Sequence, residues 1–205
     1  MDIWYLGYAS FRIRTKKGII ITNPYNADTK LLFPKMEGDI VLNNRKESPH
    51  SEAELVRGDP FVINAPGEYE IGGINVFGFS CQQNTTFLVN VDGISMCHLG
   101  WLEDKLTPKE LDKINSPEVV FVPVGLPGGL KSKTAIETVR KLEAKIIIPV
   151  HYQVKEAKKK INQIEPVKKF LEEIGSEIEP KQKLIVNPSD LIFEGEKVIP
   201  IERRK

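Results

Sequence analysis

The chain carries only three imidazoles, and all three stand at the ends of apolar runs. His151 follows "KIIIPV", His98 follows "GISMC", and His50 lies in the polar loop after "DIVL". Strand ends that open into loops are where α/β proteins gather functional side chains. A neutral imidazole binds divalent metals, and a titrating one moves protons near neutral pH. Each histidine taken singly is better explained as a surface residue or a satisfied core residue. Cys81 and Cys97 add two conceivable soft ligands, but Cys97 lies on a strand beside His98, where a buried thiol packs as a small hydrophobe. The glycine-rich stretch "GLPGGLKSKT" (125–134) lacks the G-x-x-x-x-G-K-[ST] spacing of a phosphate loop. Capture of an anion by the helix that follows it is the weaker use of that stretch.

The elements that must hold these residues are legible in the pattern of apolar positions. "IWYLGYASFRIRT" alternates and is rich in aromatic and β-branched residues, so it reads as strand. "IIITNPY", "GDIVLNN", "EVVFVPVG" and "KIIIPVHY" read as short buried strands. "PFVINAPGEYEIGGINVFGFS" gives two or three strands broken by Gly and Pro. "TTFLVNVDGISMCHLG" predicts a hairpin turning at Asp92-Gly93. Helices are predicted over "TPKELDKI", with Thr107 as N-cap and Pro108 in the first turn, over "SKTAIETVRKLEA", and over "PVKKFLEEIG", stopped by Gly175. The last stretch, "KLIVNPSDLIFEGEKVIPIERRK", reads as strand again. Antiparallel strands followed by strand–helix–strand units imply mixed sheets with helices on their outer faces.

Composition excludes several classes. Hydrophobic residues make up 40% and charged residues 28%, and the net charge is +1, so no global field draws the chain to nucleic acid or membrane. No apolar run approaches the roughly 20 residues needed to span a bilayer. The N-terminus lacks the layout of a signal peptide, and two cysteines make no disulfide framework, so a cytoplasmic location is expected. The lysine run "KEAKKK" (155–160) has no interleaved aromatics and reads as a solvated segment.

The order of these blocks resembles a known family. "YLGYASFRI", "IIITNPY", "GDIVLNN", "GDPFVINAPGEYEIGGINVFG", "GISMCHLGWL", "VVFVPVG" and "KIIIPVHY" are similar to successive blocks of the metallo-β-lactamase-fold superfamily, in its small UlaG-like branch. Members typically read "LGHSSF…DPY…DIVLVSHDHPDH…PGEYEI…HLGD…PVHY". The resemblance implies one α+β domain over 1–205, a four-layer αββα sandwich with its site at one edge of the two sheets. It also implies a metal cluster that lowers the pKa of a bound water and polarises the scissile bond.

The resemblance further implies where the ligands would fall. Aligned without a gap on "DIV", the loop's first His falls on Arg45, its second on Glu47, its Asp on Pro49, and its last His on His50. The later His falls within "SCQQN", where there is none. The Asp of "HLGD" is Trp101, and the terminal His is His151. His98 matches the His of "HLGD", a structural position, and the His of "LGHSSF" is Tyr8. A catalytic zinc usually needs three protein ligands. A guanidinium at Arg45 repels a divalent cation.

The expectation is therefore a non-catalytic relative that works through binding or assembly, with no metal. Arg45 would attract an anion into the old cleft, with Tyr8 and Trp101 as walls and His98 lining it. The alternative is a metal-dependent hydrolase with one Zn or Mn on Glu47, His50 and His151. Glu103 or Asp104 could replace the lost Asp after a loop shift. Ser10, Ser48 and Ser80 lie near the site by the same alignment, with His50 or His151 as base, but no G-x-S-x-G elbow is present. A nucleic-acid-binding accessory role through the lysine run is the weakest reading. The expected partner is an unidentified small ligand or protein. Self-association is expected from the habit of similar small members.

Overall fold

Alternation at the start of the chain becomes a hairpin in the computed structural model, which describes residues 1–29, 31–46, 48–154 and 164–204. Strands β1 (Asp2–Gly7) and β2 (Ser10–Arg14) pair antiparallel, with Trp4 opposite Arg12 and Tyr5 opposite Phe11. Tyr5 and Phe11 are buried, while Trp4 and Arg12 lie on the other, half-open face. The chain continues through β3 (Ile19–Thr22), β4 (Met36–Glu37), β5 (Ile40–Leu42), β6 (Val56–Arg57) and β7 (Phe61–Ile63). A meander follows: β8 (Gly67–Ile71), β9 (Ile74–Cys81), β10 (Asn84–Val91) and β11 (Ile94–His98). Asp92 and Gly93, at φ 56° and 74°, make the two-residue turn between β10 and β11, as the sequence predicts.

The predicted helices form. α1 (Pro108–Ile114) begins in a complete capping box between Thr107 and Glu110. Next come β12 (Val119–Pro123), α2 (Ser132–Lys141), β13 (Ile146–Val150) and α3 (Val167–Ile174). Gly175, at φ 79°, ends α3. The last stretch departs from continuous strand: only β14 (Leu184–Ile185) and β15 (Lys197–Val198) form, around a 3-10 turn at Pro188–Leu191. Pro188 and Gly195 interrupt the ladder there.

One sheet has the order β14-β1-β2-β3-β5-β7 and the other β15-β13-β12-β11-β10-β9-β8. Their inner faces share one core in which Phe11 meets Phe121 at 4.7 Å between ring centroids. This is the α+β metallo-β-lactamase sandwich. α2 packs on β12 of the seven-stranded sheet and against α3. On the outer face of the six-stranded sheet, a parallel ribbon of β4 and β6 covers Ile21 and Val41 through Val56. That ribbon stops short of β1 and β2. Among the described residues no helix is long and apolar enough to cross a membrane.

Candidate functional site

The parallel strands β5, β11 and β13 end at the same rim of the sandwich. The loops after them deliver His50, Trp101 and His151, and the β1–β2 turn delivers Tyr8. The rim backbone is unusual: Tyr8, Asn23 and His151 are non-glycine residues at φ 54°, 43° and 56°. Such conformations are held only where surroundings over-determine them, and they cluster at functional sites. The His151 N–H donates to the Tyr8 carbonyl at 2.7 Å, joining two of these residues across the two sheets.

Buried amides set the positions of the loops. The Asn23 side chain donates to Asn44 Oδ1 at 2.7 Å and accepts from the Asn44 N–H at 3.0 Å. Asn44 Nδ2 donates across to the Thr85 carbonyl at 2.6 Å. Asn84 Oδ1 accepts the Trp101 N–H at 3.1 Å, and its Nδ2 donates to the Leu99 carbonyl at 2.8 Å. A Cβ on Gly100 would lie 2.3 Å from Asn84 Oδ1 and 2.6 Å from the Asn44 side chain, so only glycine fits between these amides. Sequence reading passed over this network, although an Asn after β3 ("ITNP") and two after β5 ("LNN") were its visible signal.

The side chains at the rim form a packed aromatic cluster. The Trp101 ring lies 4.4 Å from that of His151 and 5.3 Å from that of His50. His50 meets Tyr8 edge-on at 4.9 Å, and the two histidine rings are 6.1 Å apart. Tyr25, a second residue the sequence reading missed, meets Tyr8 at 5.3 Å and donates its hydroxyl to the Leu6 carbonyl at 2.6 Å. The Tyr8 hydroxyl donates to the Thr29 carbonyl, and burial pushes its pKa up to about 12. Trp101 is only 7% exposed.

Electrostatics at the rim favour neutral imidazoles. Burial, then the charge of Arg45, lowers His50 to about 4. Burial, then His50, His98 and Arg45, pushes His151 well below the usual range. Among the described residues, His50 Nδ1, His151 Nε2 and Arg45 Nε are buried and have no hydrogen-bond partner. The Arg45 guanidinium lies 5.7 Å over the Trp101 ring, and its Nη2 donates to Glu103 at 2.6 Å. Glu103 is thus engaged with Arg45.

Other expected positions fall elsewhere. Pro49 is exposed, and its carbonyl accepts the Asn26 N–H at 2.9 Å. Glu47 and the lysine run 155–160 lie outside the described residues. His98 does not line a cleft. It stacks on Phe121 at 5.3 Å inside the core, with Nδ1 accepting from the Gly100 N–H at 3.1 Å and Nε2 3.0 Å from the Ala9 carbonyl. The Gly100 bond makes Nδ1 the acceptor, so the proton sits on Nε2 and is given to Ala9. Burial lowers this ring to about 4. Ser10 Oγ is buried without a hydrogen-bond partner among the described residues, and Ser48 Oγ accepts the backbone N–H of His50 at 3.2 Å. Cys81 and Cys97 are buried free thiols whose pKa values burial raises, so both stay protonated.

A metal fits the described donor set poorly. Two imidazoles converge, but among the described residues no group of three His, Cys, Asp or Glu side chains could hold an ion. The Arg45 charge that lowers both histidines also opposes a cation placed between them.

A family model described as beta-lactamase superfamily domain matches residues 2–151. No curated protein matches the chain. Among solved structures, the chain is 31% identical to a candidate Zn-dependent hydrolase of the metallo-β-lactamase superfamily from Thermotoga maritima, covering 98% of this chain and 99% of that one at TM-score 0.84. A metallo hydrolase from the archaeon Ignicoccus hospitalis is similar at 15% identity, with 100% and 96% coverage and TM-score 0.64. An isothiocyanate hydrolase from Delia radicum gut bacteria is similar at 13% identity, with 91% and 99% coverage and TM-score 0.66.

Proposed function

Because the chain belongs to the beta-lactamase superfamily domain family, a fold of metallo-hydrolases, we propose that it is a member in which the metal-binding rim has become an aromatic plug and that it acts by binding rather than hydrolysis. The observation that carries this reading is the Trp101 indole. It packs at 4.4 Å on His151 and 5.3 Å on His50, at the sequence position where the resemblance puts a bridging carboxylate. An indole offers no lone pair to a metal, and its bulk fills space between the ligands. Arg45 adds a fixed positive charge to the same place. Its unpartnered Nε–H suits the polar group of a small anionic ligand.

One observation favours a second reading. His50 Nδ1 and His151 Nε2 are unpartnered, and both rings are held neutral, as ligands must be. With Glu47 as a third donor they would make a His₂Glu site, at which zinc or manganese would supply an activated water.

Metal analysis of the purified protein, after equilibration with zinc and with manganese, separates the two. The binding reading expects well under one metal per chain, unchanged in His50→Ala and His151→Ala. One metal per chain, lost in both variants, would sink it and establish the hydrolase reading.

A further inference from the structure

The outer face of the hairpin β1–β2 carries a second, unrelated constellation. Trp4 is half-buried, and four cations surround its ring. Arg12 lies 5.0 Å, Lys183 5.3 Å, Arg204 5.6 Å and Arg14 5.7 Å from the ring centroid. Cation–π contacts of this kind occur roughly once per 70–80 residues, so four on one indole is a concentration, not background.

The acidic groups nearby do not balance these charges. Asp2 pairs with Arg14 and stands 3.9 Å from Lys183, and Glu37 is 3.5 Å from Arg57. Among the described residues, Arg12 and Arg204 form no ion pair. Their crowding is felt at Arg12, whose pKa is lowered by burial and then by Arg204 and Arg14. The π face of Trp4 holds together cations that would otherwise repel one another.

The surface is also concave. A cavity of about 590 Å³ is floored by Trp4, Arg12 and Arg14 and walled by the β4–β6 ribbon, with Lys35 and Arg57 at its rim. A second cavity continues past Trp4 along Lys183, and Trp4 and Arg204 line both. The result is a continuous, mostly basic groove that crosses a half-buried aromatic ring.

We propose that this groove binds single-stranded nucleic acid, with phosphates on Arg12, Arg14 and Arg204 and bases stacked along the Trp4–guanidinium array. Arginine suits this role because its planar fork meets phosphate oxygens in pairs and its face accepts a base. An acidic peptide would use the charges but leave the aromatic array without a stacking partner. The chain's net charge of +1 hides the patch, because its members come from residues 4, 12, 14, 183 and 204 and meet only in the folded sheet. The proposal does not depend on the reading of the strand-end rim.

The test is fluorescence anisotropy of the full chain with labelled single-stranded oligouridylate of about 15 nucleotides. Binding is expected at about 50 mM salt, with log K falling against log salt at a slope near −2 to −3 for three or four phosphates. Arg12→Ala and Arg204→Ala should each weaken binding about fivefold and flatten the slope by about 0.7. Trp4→Ala should weaken it about tenfold, and Trp4→Phe should restore most of the loss. Arg204 is exposed near the end of the described chain, so its variant tests the groove without endangering the fold. Absence of binding at about 20 mM salt would overturn the proposal. So would equal affinity for polyglutamate, which points to an acidic protein, or for duplex or inorganic polyphosphate, which points to polyanion attraction without base contact. Undiminished binding by the Arg12→Ala, Arg204→Ala double variant would place the interaction elsewhere and also sink it.

Discussion

The chain has two tryptophans, and each organises a different region. Trp101 is 7% exposed and packs on His50 and His151 at the strand-end rim. Trp4 is half-buried on an outer sheet face, ringed by four cations. The first region has left-handed non-glycine residues at its strand ends, and its aromatic and imidazole rings pack against one another. The second has ordinary strand backbone and an open, charged surface. The two indoles thus sit in opposite surroundings, one packed among rings and one among cations.

Truncation separates the two indoles most sharply. Trp101→Ala should destabilise the protein by about 3–5 kcal/mol in denaturant unfolding, because it opens a cavity under two histidines and removes the face beneath Arg45. Trp4→Ala should cost less, about 1–2 kcal/mol, from the cation–π contacts it removes, while weakening oligouridylate binding. Equal losses of stability would erase the contrast. A slightly smaller effect is expected at Gly100, which sits at φ 63° with no room for a side chain. Gly100→Ala should cost about 3 kcal/mol, from overpacking against Asn44 and Asn84 plus the left-handed penalty.

Acid should act on the rim before the groove. His50 and His98 are held near 4, and His151 well below its ordinary 6.5. The unfolded chain binds these protons first as pH falls, so the sign is fixed: stability is full above about 6.5 and declines toward pH 4. The slope should approach about 1.4 kcal/mol per pH unit for each histidine involved. His98→Gln should remove one such increment in unfolding measured across that window. The smallest effect concerns Arg45→Ala, after which His50 should titrate above 4 yet still below 6.5, because burial outweighs Arg45 among the causes.

Much of the fold was legible because its signals are local. The apolar runs of β5, β12 and β13, the Asp92-Gly93 turn and the Thr107 capping box each lie within a few residues. The convergence of Tyr8, His50, Trp101 and His151 was legible only through block order, since no local pattern joins positions so far apart. For His98 the block order gave both a structural position and a place lining the cleft, and only the first agrees with its burial beside Phe121. Its two hydrogen bonds, to Gly100 and Ala9, decide the matter. The partners of Asn44 and Asn84, though the asparagines after β3 and β5 themselves stand out, and the Trp4 groove were not legible, for a common reason. Both are built from contacts across sheets or between chain ends, such as Trp4 with Arg204.

The central claim is that the rim imidazoles are free neutral rings in a packed cluster, not metal ligands. Ring-nitrogen NMR of His50 and His151, recorded with and without one equivalent of zinc at neutral pH, tests it at the atoms concerned. The account predicts neutral tautomers whose shifts do not move when zinc is added. Coordinated shifts at His50 Nδ1 and His151 Nε2 together, absent in Arg45-retaining His151→Ala, would contradict it.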